Sequence, residues 1–105
     1  MKSYELIFAI VNRGFADEVI DAAKEQGAVG ATVMHARGTS NRTETIFGVR
    51  IEPEKDCVLM AVEREKCKPI MQSIYEKDGL NTNGSGICFA MPIDDIMGLR
   101  DRTNQ

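Results

Sequence analysis

The residues of this sequence that could do chemistry are few and scattered. Gly84-Ser85-Gly86 ends the polar stretch that begins at Leu80. Successive backbone N–H groups in a glycine-rich loop of this kind can form a nest for an anion. No Gly-Lys-Ser/Thr follows, so it is not a Walker-type phosphate loop. Without a ligand, the same residues make a helix end and a turn before a strand. His35, the single histidine, has the type of a base, a phosphate acceptor or a ligand. No acid stands at strand or helix spacing beside it, and it reads as a satisfied strand or interface histidine. Cys57, Cys67 and Cys88 are odd in number, widely spaced and without a CxxC motif. They read as reduced, mostly buried thiols, and no metal set is drawn from them and His35. Asp94 and Asp95 are adjacent and so face apart, which suits capping or solvation better than acid–base work. Glu52, Pro53, Glu54, Lys55 and Asp56 read as a charged turn that keeps the chain soluble and protects a sheet edge.

The elements that must position these groups follow from periodicity. Tyr4 to Val11 is a short, nearly continuous apolar run of the length of a buried central strand. Gly14 opens a helix with Asp17 and Glu18 in its first turn, and Phe15, Val19, Ala22 and Ala23 form its apolar stripe. Gly27 ends it. Val29 to Arg37 reads as a second strand, with Ala31, Val33 and His35 on one face and Thr32, Met34 and Ala36 on the other. Gly38 to Arg42 is a polar break. Alternation from Glu44 to Ile51 predicts an extended arm or hairpin. Its apolar Phe47, Val49 and Ile51 either pack on the body or dock in a partner. Cys57 to Val62 is a third strand of the main body. A second helix carries Cys67, Ile70, Met71, Ile74 and Tyr75 on one face. Pro69 argues for a later start to that helix, and Gly79 for its end. Ile87 to Met91 is the last strand, closed by Pro92, and Ile93 to Met97 has room for one helical turn. Strand–helix–strand occurs twice. The pattern therefore predicts an α+β, ferredoxin-like βαββαβ sandwich, an antiparallel sheet with two helices on one face. The strands are apolar on both sides, so the second face is a sticky patch that oligomerisation would hide.

Composition agrees with one domain over residues 1–105. The chain has 43% hydrophobic and 28% charged residues and a net charge of -3. The negative balance and scarce aromatics argue against nucleic acid as a partner. The acid at Glu5 spoils a signal peptide, and no apolar run is long enough to cross a bilayer. A cytoplasmic location is expected, with no direct membrane insertion.

One group of features coincides in order and spacing. Gly27-Ala28-Val29-Gly30-Ala31-Thr32-Val33 leads into Ala36-Arg37-Gly38 and a long loop, and Gly84-Ser85-Gly86 leads into a strand ending at Pro92 and Ile93-Asp94-Asp95. Over nearly its whole length the chain resembles the PII family of nitrogen-regulatory signalling proteins and their divergent relatives. The resemblance implies a homotrimer with inward-facing sheets. It implies a protruding T-loop between strands two and three, at about 38–54, that grips a target protein such as a membrane transporter or a metabolic enzyme, and a C-terminal tail at about 98–105. It implies a regulator and not an enzyme, with no catalytic residue and no obligatory cofactor. It also implies intersubunit clefts for an adenine nucleotide (ATP, ADP or AMP), with Thr32, Gly38, Thr39, Lys55, Gly84, Ser85, Gly86 and Arg100 at the cleft. In the loop, Arg42, Phe47, Val49 and Arg50 are the implied partner contacts.

The sequence departs from the family at phosphate-facing positions. Ile87 stands where the family has a lysine, and Gly98 where it has an arginine. Each charge-assisted contact is worth about 1.5–3 kcal/mol, so the pair weakens ATP binding by about a hundred- to ten-thousand-fold. Arg37, Arg42, Arg50 and Arg102 are the cations able to compensate. The loop holds no tyrosine, so a tyrosine-linked modification has no acceptor there. The alternative expectation is a scaffold trimer that binds a metal ion or another small anion, or associates with a transporter, since architecture alone fixes no ligand.

Overall fold

A computed structural model describes residues 3–38, 44–46, 49–51, 54–77 and 86–99. In chain order the elements are β1 (Tyr4–Asn12), α1 (Ala16–Glu25), β2 (Thr32–Arg37), β3 (Glu44–Ile46), β4 (Val49–Ile51), β5 (Glu54–Glu63), α2 (Arg64–Lys77) and β6 (Gly86–Ile93). The main sheet has the order β2-β5-β1-β6, antiparallel throughout, and β3 and β4 form a separate antiparallel pair. This is the ferredoxin-like sandwich, and the β3–β4 pair realises the expected hairpin between the second and third main strands.

Strand pleating gives the sheet its two faces. Ile7, Ala9 and Val11 of β1 and Val58, Met60 and Val62 of β5 point into the helix layer. There they meet Val19, Ala22 and Ala23 of α1 and Cys67, Ile70 and Ile74 of α2. The buried Ser73 donates from Oγ to the Ala22 carbonyl at 3.1 Å, which ties the two helices and satisfies the one hydroxyl this seam buries. Helix α1 starts with Asp17 and Glu18 in its first turn. It stops where Gly27, at φ +103°, lets its own N–H reach the Lys24 carbonyl and the Ala28 N–H reach Ala23, a Schellman closure.

Several expectations are corrected. Phe15 and Tyr75 lie outside the apolar stripes, exposed at the start of α1 and near the end of α2. Strand β2 begins at Thr32, three residues later than expected, because the chain is still leaving the α1 closure at Ala28. Pro69 stands inside α2, which begins at Arg64. Its ring removes the bond to the Glu65 carbonyl, but both residues are exposed and water can satisfy that oxygen. The Arg64 N–H meanwhile anchors the helix start to the Ser3 carbonyl at 2.9 Å. Pro92 lies within β6 rather than closing it, which an edge strand tolerates. Residues Asp94 to Met97 form no helical turn. Glu54, Lys55 and Asp56 are not a turn but the first residues of β5, held in register by β1 and β2 on either side. Gly79 and the tail beyond Leu99 lie outside the described residues.

Candidate functional site

The strand ends nearest the loop collect the chemistry. Strand β2 runs up to Gly38, and β5 returns from the loop at Glu54. Across the ladder, Arg37 is the register partner of Glu54, Ala36 of Lys55 and His35 of Asp56. On the other side of β5, Lys55 is the partner of Asn12, and one step along β1, Val11 is the partner of Gly86. Gly38, Lys55, Asn12 and Gly86 therefore stand in a row across one end of the sheet. Lys55 Nζ donates to Asn12 Oδ1 at 2.5 Å. A Cβ placed on Gly38 would sit 3.4 Å from Lys55 Cε, in ordinary contact, so the loop base lies directly against the lysine stem. A cavity of about 310 Å³ opens here, lined by Arg13, His35, Ala36, Arg37, Glu54 and Lys55.

Beneath this cavity is a polar knot absent from the sequence reading. Asp56 is buried at 5% exposure. One carboxylate oxygen accepts the Gly14 N–H at 3.1 Å, and the other meets His35 Nδ1 at 2.9 Å. These bonds hold the Asp56 carboxyl below the usual carboxylate range, the Gly14 N–H contributing most and the His35 hydrogen bond next. With Nδ1 turned to the carboxylate, the ring presents Nε2 to solvent, its side chain being 76% exposed. Arg13 forms an ion pair with Glu54. The knot thus fastens β2, β5 and the turn before α1 together at the base of the loop. His35, read as lacking an acid, has one across the ladder. The signal was available once Arg37 and Glu54 were paired, because two steps inward that register places histidine opposite aspartate.

The expected cleft residues divide three ways. Gly38, Lys55 and Gly86 converge. Thr32, opposite Leu59, lies four residues along β2 from Ala36, about 13 Å from the row at strand rise, so one chain does not bring it to the others. Thr39, Gly84, Ser85 and Arg100 lie outside the described residues, as do Arg42 and Phe47 of the loop. Val49 and Arg50 belong to β4, where Arg50 is the register partner of Thr45. Ile87, at the lysine position, is 56% exposed.

Among the described residues, the face of the sheet away from the helices is uncovered. Phe8 and Phe89 stack with centroids 5.4 Å apart and planes 5° from parallel. Around them are Leu6, Ile10 and Leu59, all partly exposed, with Met34 at 46% and Met91 at 43% exposure.

A ferredoxin-like domain with a hairpin-bearing loop between its second and third main strands, and with cations gathered at the base of that loop, defines the class. Comparison with known proteins gives the family. The family model described as "Nitrogen regulatory protein P-II" matches residues 4–103. Two curated proteins named "Nitrogen fixation nifHD region glnB-like protein 1", both from Methanococcus maripaludis, are similar at 27% and 26% identity, each over 94% of this chain and 96% of the relative. The chain belongs to the P-II family of signal-transduction regulators.

Proposed function

We propose that this regulator is a homotrimer that senses a small anionic effector, an adenine nucleotide foremost, and passes its occupancy to a partner protein through the loop at about 38–54. The observation that carries the reading is the row of Gly38, Lys55 and Gly86 at the rim of the bare apolar face. Packing three such faces together hides the Phe8–Phe89 stack. It also brings one chain's row beside a neighbour, whose Thr32 then completes the cleft.

Lys55 is held by Asn12 and sits under Gly38, so an anion that draws the ammonium away from Asn12 also changes what the loop base rests on. That is a direct link from effector to loop. Thr39, Gly84, Ser85 and Arg100 complete the proposed cleft. Arg42, Phe47, Val49 and Arg50 form the proposed grip on the partner. In this role the protein works in the cytoplasm and carries out no catalysis.

The test is a melting screen with ATP, ADP, AMP and cyclic nucleotides, with the mass measured in solution by light scattering. A ligand that binds the folded state at 100 times its Kd adds about 2.7 kcal/mol, and a clear rise in Tm is expected from at least one adenine nucleotide on a trimer. No shift at millimolar ligand removes the nucleotide; a monomer at micromolar concentration removes the trimer.

A further inference from the structure

The polar knot at the loop base fixes the tautomer of the single histidine. Asp56 is buried, and an ionised carboxylate can only accept hydrogen bonds. Its Oδ2 takes the Gly14 N–H at 3.1 Å, and its Oδ1 lies 2.9 Å from His35 Nδ1. The proton of the neutral ring therefore sits on Nδ1, and Nε2 carries a free lone pair. A buried acid that orients a histidine in this way is how a basic or nucleophilic imidazole is held. The His35 side chain is 76% exposed and that of Asp56 7%, so the ring is anchored from below and open above.

The surroundings of that lone pair are cationic. The cavity of about 310 Å³ onto which His35 opens is lined by Arg13, Arg37 and Lys55, and Glu54 is the one acid among the described residues on its wall. A bare lone pair does not donate to an anion, so the neutral ring is not a simple anion ligand. A lone pair also suits a metal, but no three His, Cys, Asp or Glu side chains among the described residues are placed to hold one. Attack on an electron-poor centre that carries negative oxygens fits both features. The lone pair makes the bond, and the cations neutralise the oxygens. A phosphoryl group has that chemistry.

We propose that His35 Nε2 is a phosphoryl acceptor, modified by a donor of the phosphoramidate class. The Nε2 lone pair forms the new N–P bond. The donor's own P–N bond breaks, and its nitrogen, already protonated in the zwitterionic donor, leaves with that electron pair as a neutral amine. The product ring is cationic, with its charge held by Asp56 through the Nδ1 proton, so no further proton moves. The added group is strongly anionic. It competes with Glu54 for Arg13 and repels Glu54 itself. Glu54 begins β5 and is the register partner of Arg37, which ends β2. The modification therefore acts on both strands between which the loop runs.

The experiment treats the folded full-length chain with phosphoramidate at neutral pH and reads the product by intact mass and phosphorus NMR. His35 is the single histidine, so the modified ring is known. One phosphoryl group per chain is expected, on Nε2, stable in alkali and lost in acid. It should form about 10-fold faster or more than on the same chain unfolded in urea. Asp56 is a positioning residue. Asp56→Asn, with circular dichroism confirming its fold, is expected to slow the reaction about 10-fold or more and to spread the product onto Nδ1. Arg13→Gln, at an exposed position, keeps the His35–Asp56 pair and is expected to lower the rate about 3-fold or more. It reports even if Asp56→Asn fails to fold. A chain that stays unmodified, that reacts no faster folded than unfolded, or that carries the group on Nδ1 overturns the proposal. So does a folded Asp56→Asn or an Arg13→Gln variant that reacts as wild type. A failed nucleotide screen leaves all these readouts unmoved.

Discussion

The two faces of the main sheet are made by the same strands from nearly the same residue types, yet they end in opposite states. Along β1, Ile7, Ala9 and Val11 are at most 2% exposed, while the alternating Leu6, Phe8 and Ile10 remain partly open. The first set meets α1 and α2 within the chain. Among the described residues no helix packs on the second set, and Phe8 stacks on Phe89 of the neighbouring strand. Apolar pattern alone therefore assigns burial to both faces, and chain connectivity decides which face is closed by folding and which stays open. The inner face sets the stability of the single chain; the outer one is the surface that the proposed trimer would close.

The comparison breaks most visibly at Phe8. Phe8→Asp places a charge at the centre of the bare face. Burying it unpaired costs several kcal/mol per chain, repeated at each copy of the interface. The expected outcome is loss of the trimer in light scattering with the helical circular dichroism retained. If the variant keeps the wild-type mass, the bare face is not the assembly surface. The matching change inside is Ile70→Ala, at a position with 0% exposure. It is expected to lower the unfolding free energy by about 2–5 kcal/mol, read by denaturant unfolding at fixed protein concentration. A loss well under 1 kcal/mol there contradicts a closed inner core.

This contrast also explains which parts were legible in the sequence. Strand β1 and helix α1 could be read because their signals are local: an apolar run for the one, and acids, a stripe and Gly27 for the other. The bare face was legible too, since both alternating sets are apolar. The start of β5 was not. Glu54, Lys55 and Asp56 have the composition of a turn, and only their partners Arg37, Ala36 and His35 make them a strand. Those partners are separated from them by the whole loop, so the ladder register rather than local pattern determines the element. The His35–Asp56 contact was lost with it.

At the rim between the faces, Lys55→Ala sharpens the effector reading. Loss of one charge-assisted contact of about 1.5–3 kcal/mol weakens nucleotide affinity about 10- to 150-fold. Asn12→Ala keeps the ammonium and frees it, so its affinity should stay level or rise. The measurement is the ligand concentration that produces half the maximal Tm shift. Equal affinities for wild type and Lys55→Ala would remove Lys55 from the cleft.

The smallest expected effect lies in the polar knot below that rim, and it depends on pH. In the folded chain the Asp56 carboxyl is held below its ordinary value of 3.8 by the Gly14 N–H and by His35. The unfolded chain has neither partner, so on acidification it takes up the proton first. Between the two values the unfolded state binds more protons, and stability rises with pH. The contribution is complete above the ordinary carboxylate pKa and disappears as pH falls through the lowered folded one. Asp56→Asn keeps an oxygen for Gly14 but carries no charge, so it is expected to be less stable than wild type at neutral pH. The gap should close as the pH drops through the acid range. His35→Ala removes the second of the two hydrogen bonds and moves the wild-type loss to higher pH. Denaturant unfolding across that range decides the matter: a gap between wild type and Asp56→Asn that stays constant with pH means that the carboxylate's charge contributes nothing to holding β2, β5 and the α1 turn together.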